Sequence, residues 1–308
     1  MSSSYAYFDQ SYGARTPYIT TTEYINAPTA MDYSNLIPGG NAAAQLISLQ
    51  ETINRASSWI DSYTCGAWGT LCATVEQENA RVWGSYRGTL LVHPKYWPVV
   101  EVQSFAYSDL PGGLISAKSN STTVNPSTSI FVYPQQFEVV QQGVVNMGLA
   151  AKSGIERRFE YDCEWTYVCG WPNTTLAASV AAGSASITPS VVTGFYPNTP
   201  MTLYDLPFDE PIKVASHYVA GGSVVPLVSP LQYDHPMTAT VTNLPPAIKQ
   251  AAILATTAFI KQRGSGALIA ADIGDLTSTQ VGFAQNAGED WMQVRSILEP
   301  FKVKYVGW

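Results

Sequence analysis

Residues 155–171 run IERRFEYDCEWTYVCGW, and their parity decides how the middle of the chain folds. Ile155, Phe159, Tyr161, Cys163, Trp165, Tyr167, Cys169 and Trp171 take odd positions, whereas Glu156, Arg158, Glu160, Asp162 and Glu164 take even ones. Alternation at a period of two predicts a strand with one apolar and one acidic face. Such a row of carboxylates is either a solvated sheet face or a wall that faces a polyanion without holding it. The pattern alone leaves both open.

Strand signals continue upstream. They include Thr89-Leu-Leu-Val-His93, an extended run with Val100, Val102 and Phe105 after Pro98, then Ser129–Tyr133 and Phe137–Gln141. Residues 108–128 are rich in Gly, Ser, Thr and Pro and read as a long loop. Downstream, residues 172–243 hold no Trp or Cys and much Val, Thr, Ser, Pro and Gly. Short β-like runs fall near 184–188, 200–204, 211–219, 224–228 and 238–242. Turns are expected at Gly183, Thr193-Gly194, Pro197-Asn198 and Gly221-Gly222. This spacing predicts a small all-β module inserted into a loop.

Helical patterns lie on either side. From Asn41 to Thr64, Leu46, Leu49, Ile53, Ala56 and Ile60 share one stripe, with Asn41 as cap and Gly66 as stop. After Pro245-Pro246, Ile248, Ala252, Ala255 and Phe259 share another, and Gly264 is expected to close that helix. A shorter helix is expected from about Gly288 to Glu299. The two long stripes predict a helix pair packed through Leu49, Ile53 and Ile60 against Ala252, Ala255 and Phe259. The fold class expected is α+β, a helical core with β strands and an inserted small all-β module. Its parts are an arm at 1–40, the core at 41–171, the module at 172–243, and a second core segment at 244–308 with a C-terminal helix and tail.

Charged residues make up 13% of the 308 and the net charge is −7, which argues against a protein that grips phosphates through clustered Lys and Arg. The N-terminus lacks a signal-peptide pattern, and the most apolar window, Ala251–Ile260, is about half a membrane span. Both features lead to an expectation of a soluble, cytoplasmically made protein. Cys65, Cys72, Cys163 and Cys169 form no CxxC and read as thiols without a bridge. No P-loop, GxSxG, HExxH or GxGxxG is present. Asp272 and Asp275 read as turn residues, and His93 and His235, each before a proline, as strand ends. His217 reads as mid-strand. No catalytic residue, cofactor or metal is expected.

Four pieces occur in a particular order: Ile60-Asp-Ser-Tyr-Thr-Cys-Gly66, Trp97-Pro-Val-Val-Glu-Val-Gln-Ser-Phe105, Tyr167-Val-Cys-Gly-Trp-Pro172 and Leu244-Pro-Pro-Ala-Ile-Lys-Gln-Ala251. In that order the chain resembles the head–tail connector adaptors of long-tailed bacteriophages, over roughly residues 20–171 and 244–300. The resemblance implies a structural virion protein in the neck between head and tail. It implies a ring of about twelve copies of the chain that joins the portal protein to the tail-terminator or tail-tube proteins. DNA would pass through without tight binding, and no membrane is involved. The acidic row Glu156, Glu160, Asp162 and Glu164 is then a candidate for the lumen wall. The tail after Pro300 must leave extended, and Phe301, Val303, Tyr305 and Trp308 are expected to dock it on the portal or a neighbour by strand addition. The competing readings are a secreted carbohydrate-binding protein or hydrolase, drawn from its eight Trp and eighteen Tyr, and another virion protein such as a tail terminator.

Overall fold

The computed structural model describes residues 16–28, 31–34, 36–66, 69–83, 89–108, 122–124, 129–140, 160–271 and 278–302. Strand β7 (Glu160–Cys169) is the middle of the first sheet, because its apolar odd face must be buried and its backbone paired on both edges. It pairs antiparallel with β1 (Thr74–Trp83) on one side and β3 (Val99–Ser108) on the other, and β4 (Thr122–Val124) completes the order β1-β7-β3-β4. A second sheet of β2 (Thr89–Val92), β6 (Gln136–Val140) and β5 (Ile130–Tyr133) packs against it. Phe137 of the second sheet meets Phe105 and Trp165 of the first edge-on, at centroid distances of 5.8 and 6.1 Å. These rings are essentially inaccessible to water, and each contributes more apolar area than any aliphatic neighbour.

The remaining strands are short: β8 (Asn173–Thr175), β9 (Ser186–Ile187), β10 (Pro200–Tyr204), β11 (Glu210–Lys213), β12 (Val225–Pro226) and β13 (Thr240–Thr242). They form a sheet of order β11-β10-β13-β8 and the two-stranded β9-β12. Their core is separate from the sandwich core and is built from Leu176, Phe195, Leu203, Val214, Val225 and Val241 with their neighbours. Entry and exit are adjacent, since Asn173 pairs with Thr242 and Asn243 N–H donates to the Pro172 carbonyl at 3.0 Å.

Among the described residues four α-helices flank the sheets: α1 (Thr21–Ile25), α2 (Ala42–Cys65), α3 (Pro246–Ala271) and α4 (Ser278–Leu298). They meet the sandwich where β7 ends. There Trp171 packs on Phe301 at 5.8 Å, and Leu71 and Cys169 share one apolar cluster with Ile60 and Ile248. The expected helical core is therefore corrected. Among the described residues the fold is organised around four antiparallel sheets, and the helices cover them. An apolar helical stripe cannot distinguish a helix from a sheet as its partner, so the pattern misassigned the centre.

Smaller corrections follow the same logic. Leu46 is 41% exposed, while the polar Ser48 and Thr52 are buried in its place. Their hydroxyls are compatible with burial because Thr52 Oγ1 bonds back to the Ser48 carbonyl at 2.8 Å. Helix α3 passes through Gly264 to Ala271, and α4 begins at Ser278, ten residues before the expected start. The long loop at 108–128 contains β4. His217 stands in a turn and is exposed. Within residues 1–40, Tyr18, Ile19 and Tyr24 are buried in the main core, so the segment from Thr16 is a strap across α2 and α3. Tyr18 donates to Asp61, and Tyr24 Oη lies 3.2 Å from Thr257 Oγ1.

Candidate functional site

The sheet β2-β6-β5 has one face that the sandwich buries and one that it does not. Leu90, Val92, Phe137 and Val139 point inward and are at most 1% exposed. On the opposite face Leu91 is 44% exposed, Phe131 53%, Tyr133 45% and Val140 37%. Register places Leu91, Glu138 and Phe131 in one row across the three strands, with Gln136 beside Tyr133. Period-two alternation should put polar side chains on an outward face. Here it carries four large apolar ones, which is the property of a surface that another protein covers.

The acidic strand face is built differently. Asp162 and Glu164 lie on the outward face of β7, half-buried, and each has a cross-strand partner on β1. Arg81 Nε is 3.3 Å from Asp162 Oδ1, and Gln77 Nε2 donates to Glu164 Oε1 at 2.7 Å. Glu160 pairs through its backbone with Trp83, and Glu156 lies outside the described residues. The row is a mixed face with its charge partly compensated.

Leu49, Ile53, Ile60, Ala252 and Ala255 are fully buried in one cluster, with Phe259 half-buried beside them, and α2 lies against α3. Phe259 also meets Trp291 of α4 edge-on at 5.0 Å. Of the expected docking residues, Phe301 packs on Trp171 of the same chain, and Val303, Tyr305 and Trp308 lie outside the described residues.

The ionisable groups in the core are held in unreactive states. Burial pushes the Cys163 thiol up to about 12 and raises Cys169 further, so neither is a thiolate at neutral pH. None of the four cysteines is in a disulfide. Burial, and then Glu78, drives the Tyr167 phenol far above its ordinary range; the phenol donates to Glu78 and accepts from Tyr96 N–H at 3.2 Å. Lys249, buried beside Glu23, is lowered by burial and partly restored by that carboxylate. Among the described residues no group of three or more His, Cys, Asp or Glu could hold a metal ion, and no helix is long and apolar enough to cross a membrane.

The sequence reading missed one cluster. The His235 side chain is fully buried, with Nδ1 3.3 Å from Asp205 Oδ2 and Nε2 3.4 Å from Glu210 Oε1. Glu210 Oε2 accepts from Gln232 N–H at 2.9 Å, so the trio ties the β10–β11 turn to the 231–236 segment. The only sequence signal was a histidine and an acidic turn thirty residues apart, too far for any local pattern to join.

No protein-family model matches the chain, and no curated protein aligns with it significantly.

Proposed function

We propose that the chain is a structural subunit of a virion, forming a ring between the portal and the tail. The observation that carries this reading is the outward face of the β2-β6-β5 sheet. Leu91, Phe131, Tyr133 and Val140 are exposed together there, which suits burial against another subunit. The low share of charged residues supports it, because such a surface is less costly to desolvate. The order of the four motifs supplies the virion setting, and the net charge of −7 suits a passage through which DNA slides without counterion release. The strap that carries Tyr18, Ile19 and Tyr24, and the half-buried, cross-strand-paired Asp162 and Glu164, would act in positioning and in lining such a ring.

Native mass spectrometry of the purified chain, alone and mixed with portal rings, tests this reading. The expected result is a closed ring, or a monomer that becomes a ring on the portal. Phe131→Asp should abolish the ring while leaving the monomer folded, since Phe131 is half exposed in the subunit. A monomer that never assembles on any portal, or a ring unaffected by Phe131→Asp, would overturn it.

A further inference from the structure

A cleft of about 840 Å³ separates the inserted module from the strap and α1, within the range of small-molecule sites. Its floor is one row of the module sheet. Thr175 of β8, Thr240 of β13 and Tyr204 of β10 are directly opposite one another in register. Val241 points into the module core, so Thr240 faces the other way, toward the cleft. The opposite wall carries Thr20, Glu23 and Gln50.

Thr240 gives the sharpest sign of a ligand. It is 1% exposed, it lines the cleft, and its Oγ1 has no hydrogen-bond partner in the protein. A buried hydroxyl left so carries an uncompensated desolvation cost, and a group entering the cleft that bonds to it would recover that cost.

The lining selects the chemistry. Among the described residues, the carboxylates that line the cleft are Glu23 and Asp205 and none of the lining residues is Lys, Arg or His, which disfavours a phosphate or carboxylate ligand. Both carboxylates are fixed from behind, Glu23 by Lys249 and Asp205 by His235. They are therefore preorganised to accept hydrogen bonds. The hydroxyls of Thr20, Thr175, Ser190 and Thr240 can each donate or accept. Tyr204 adds an aromatic ring whose one face is held by Lys249 Nζ at 3.6 Å from the centroid. Burial, and then Glu23, raises its phenol, which keeps the hydroxyl a donor at neutral pH. At the rim, Leu206 and Met237 supply apolar contact. Fixed carboxylate acceptors, two-way hydroxyls and an aromatic face suit a ring whose edge is polar and whose face is not.

We propose that this cleft binds a neutral oligosaccharide, with Thr240, Asp205, Glu23 and Tyr204 as its polar and aromatic contacts. The site is lined by residues of a single chain, so its failure would leave the ring reading untouched. Calorimetric titration of the full chain with maltohexaose, cellohexaose and the hexamer of N-acetylglucosamine tests it. At least one should bind with a dissociation constant below about 1 mM. Thr240→Val, which keeps the shape and removes the hydroxyl, should weaken that binding at least fivefold. Met237→Arg should block the rim without disturbing the fold, because Met237 is 58% exposed. Binding of none of the three sugars would overturn the proposal, as would binding that both variants leave intact. So would Thr240→Val-sensitive binding of a synthetic peptide of residues 1–15 in place of any sugar, because the cleft would then be a peptide groove.

Discussion

The sandwich and the inserted module are both antiparallel β structures, yet they are stabilised by different means. In the sandwich, three ten-residue strands pair across long stretches of chain, Thr74 opposite Cys169 for example, and three large rings fill the centre. In the module, no strand exceeds five residues and the core is mostly Leu, Ile and Val. Its geometry is set by turns. Gly183, Gly194, Asn198 and Gly221 all have positive φ, a conformation that glycine and asparagine adopt at least cost. One unit depends on a few bulky contacts of high sequence separation, the other on many local decisions.

That difference can be broken at its strongest point first. Trp165→Ala removes the ring that touches both Phe105 and Phe137, and should cost about 4 kcal/mol. Because the helices lie on the same apolar cluster, the loss should appear in helical circular dichroism as well as in melting temperature. A melt displaced by only a degree or two would mean the sandwich is not the centre of the fold.

The module gives a smaller and more contained effect. Leu203→Ala empties a fully buried position among Val241, Ile212 and Phe195, at a cost of about 3 kcal/mol. The damage should stay local. The module touches the rest through few contacts, among them Tyr196 Oη to Glu101 Oε2 at 2.9 Å and Asn173 Nδ2 to the Pro17 carbonyl at 3.0 Å. Hydrogen exchange should accelerate in β10, β11 and β13 and stay unchanged in α2 and β7. Equal acceleration in both regions would show that the two cores unfold as one.

What could be read from the sequence divides along the same line. The module's turns were legible because each is specified by a residue at the turn itself. Strand β7 was legible because both its faces follow the rule of alternation. Its partner β1 was not: its inward positions are Thr74, Glu76, Glu78, Ala80 and Val82, which carry no apolar row. β1 is a strand because β7 offers it an edge, not because its own pattern demands one. In β3 the buried residues Val99, Val102 and Phe105 are three apart, since two register shifts against β7 reset the parity. Gly264 did not end α3, where a glycine costs about 1 kcal/mol and packing against α4 offsets it. The cleft, the exposed sheet face and the His235 trio each join residues from distant segments, so no window of sequence contains them.

Glu78 offers the finest test, because it is a charged residue on the inward face of β1 whose carboxyl burial raises. Two effects compete there. Burial raises its carboxyl above the ordinary 4.5, while the Tyr167 phenol and the Lys95 N–H, at 3.0 Å, stabilise the anion and lower it. Burial wins, so the folded state holds this proton more tightly than the unfolded chain does. Stability from this group is then fully present below about 4.5 and is lost as pH rises through the folded value. Glu78→Gln keeps an acceptor for Tyr167 and removes the titration. Melting temperatures of the two proteins, compared from pH 4 to pH 7, should show the native protein's relative advantage greatest at the acid end and shrinking as pH rises. An advantage that grows with pH would mean the hydrogen bonds outweigh burial. In that case β1 would be held by a fixed anion among its partners, and the sandwich would share more of the module's reliance on local polar contacts than its aromatic centre suggests.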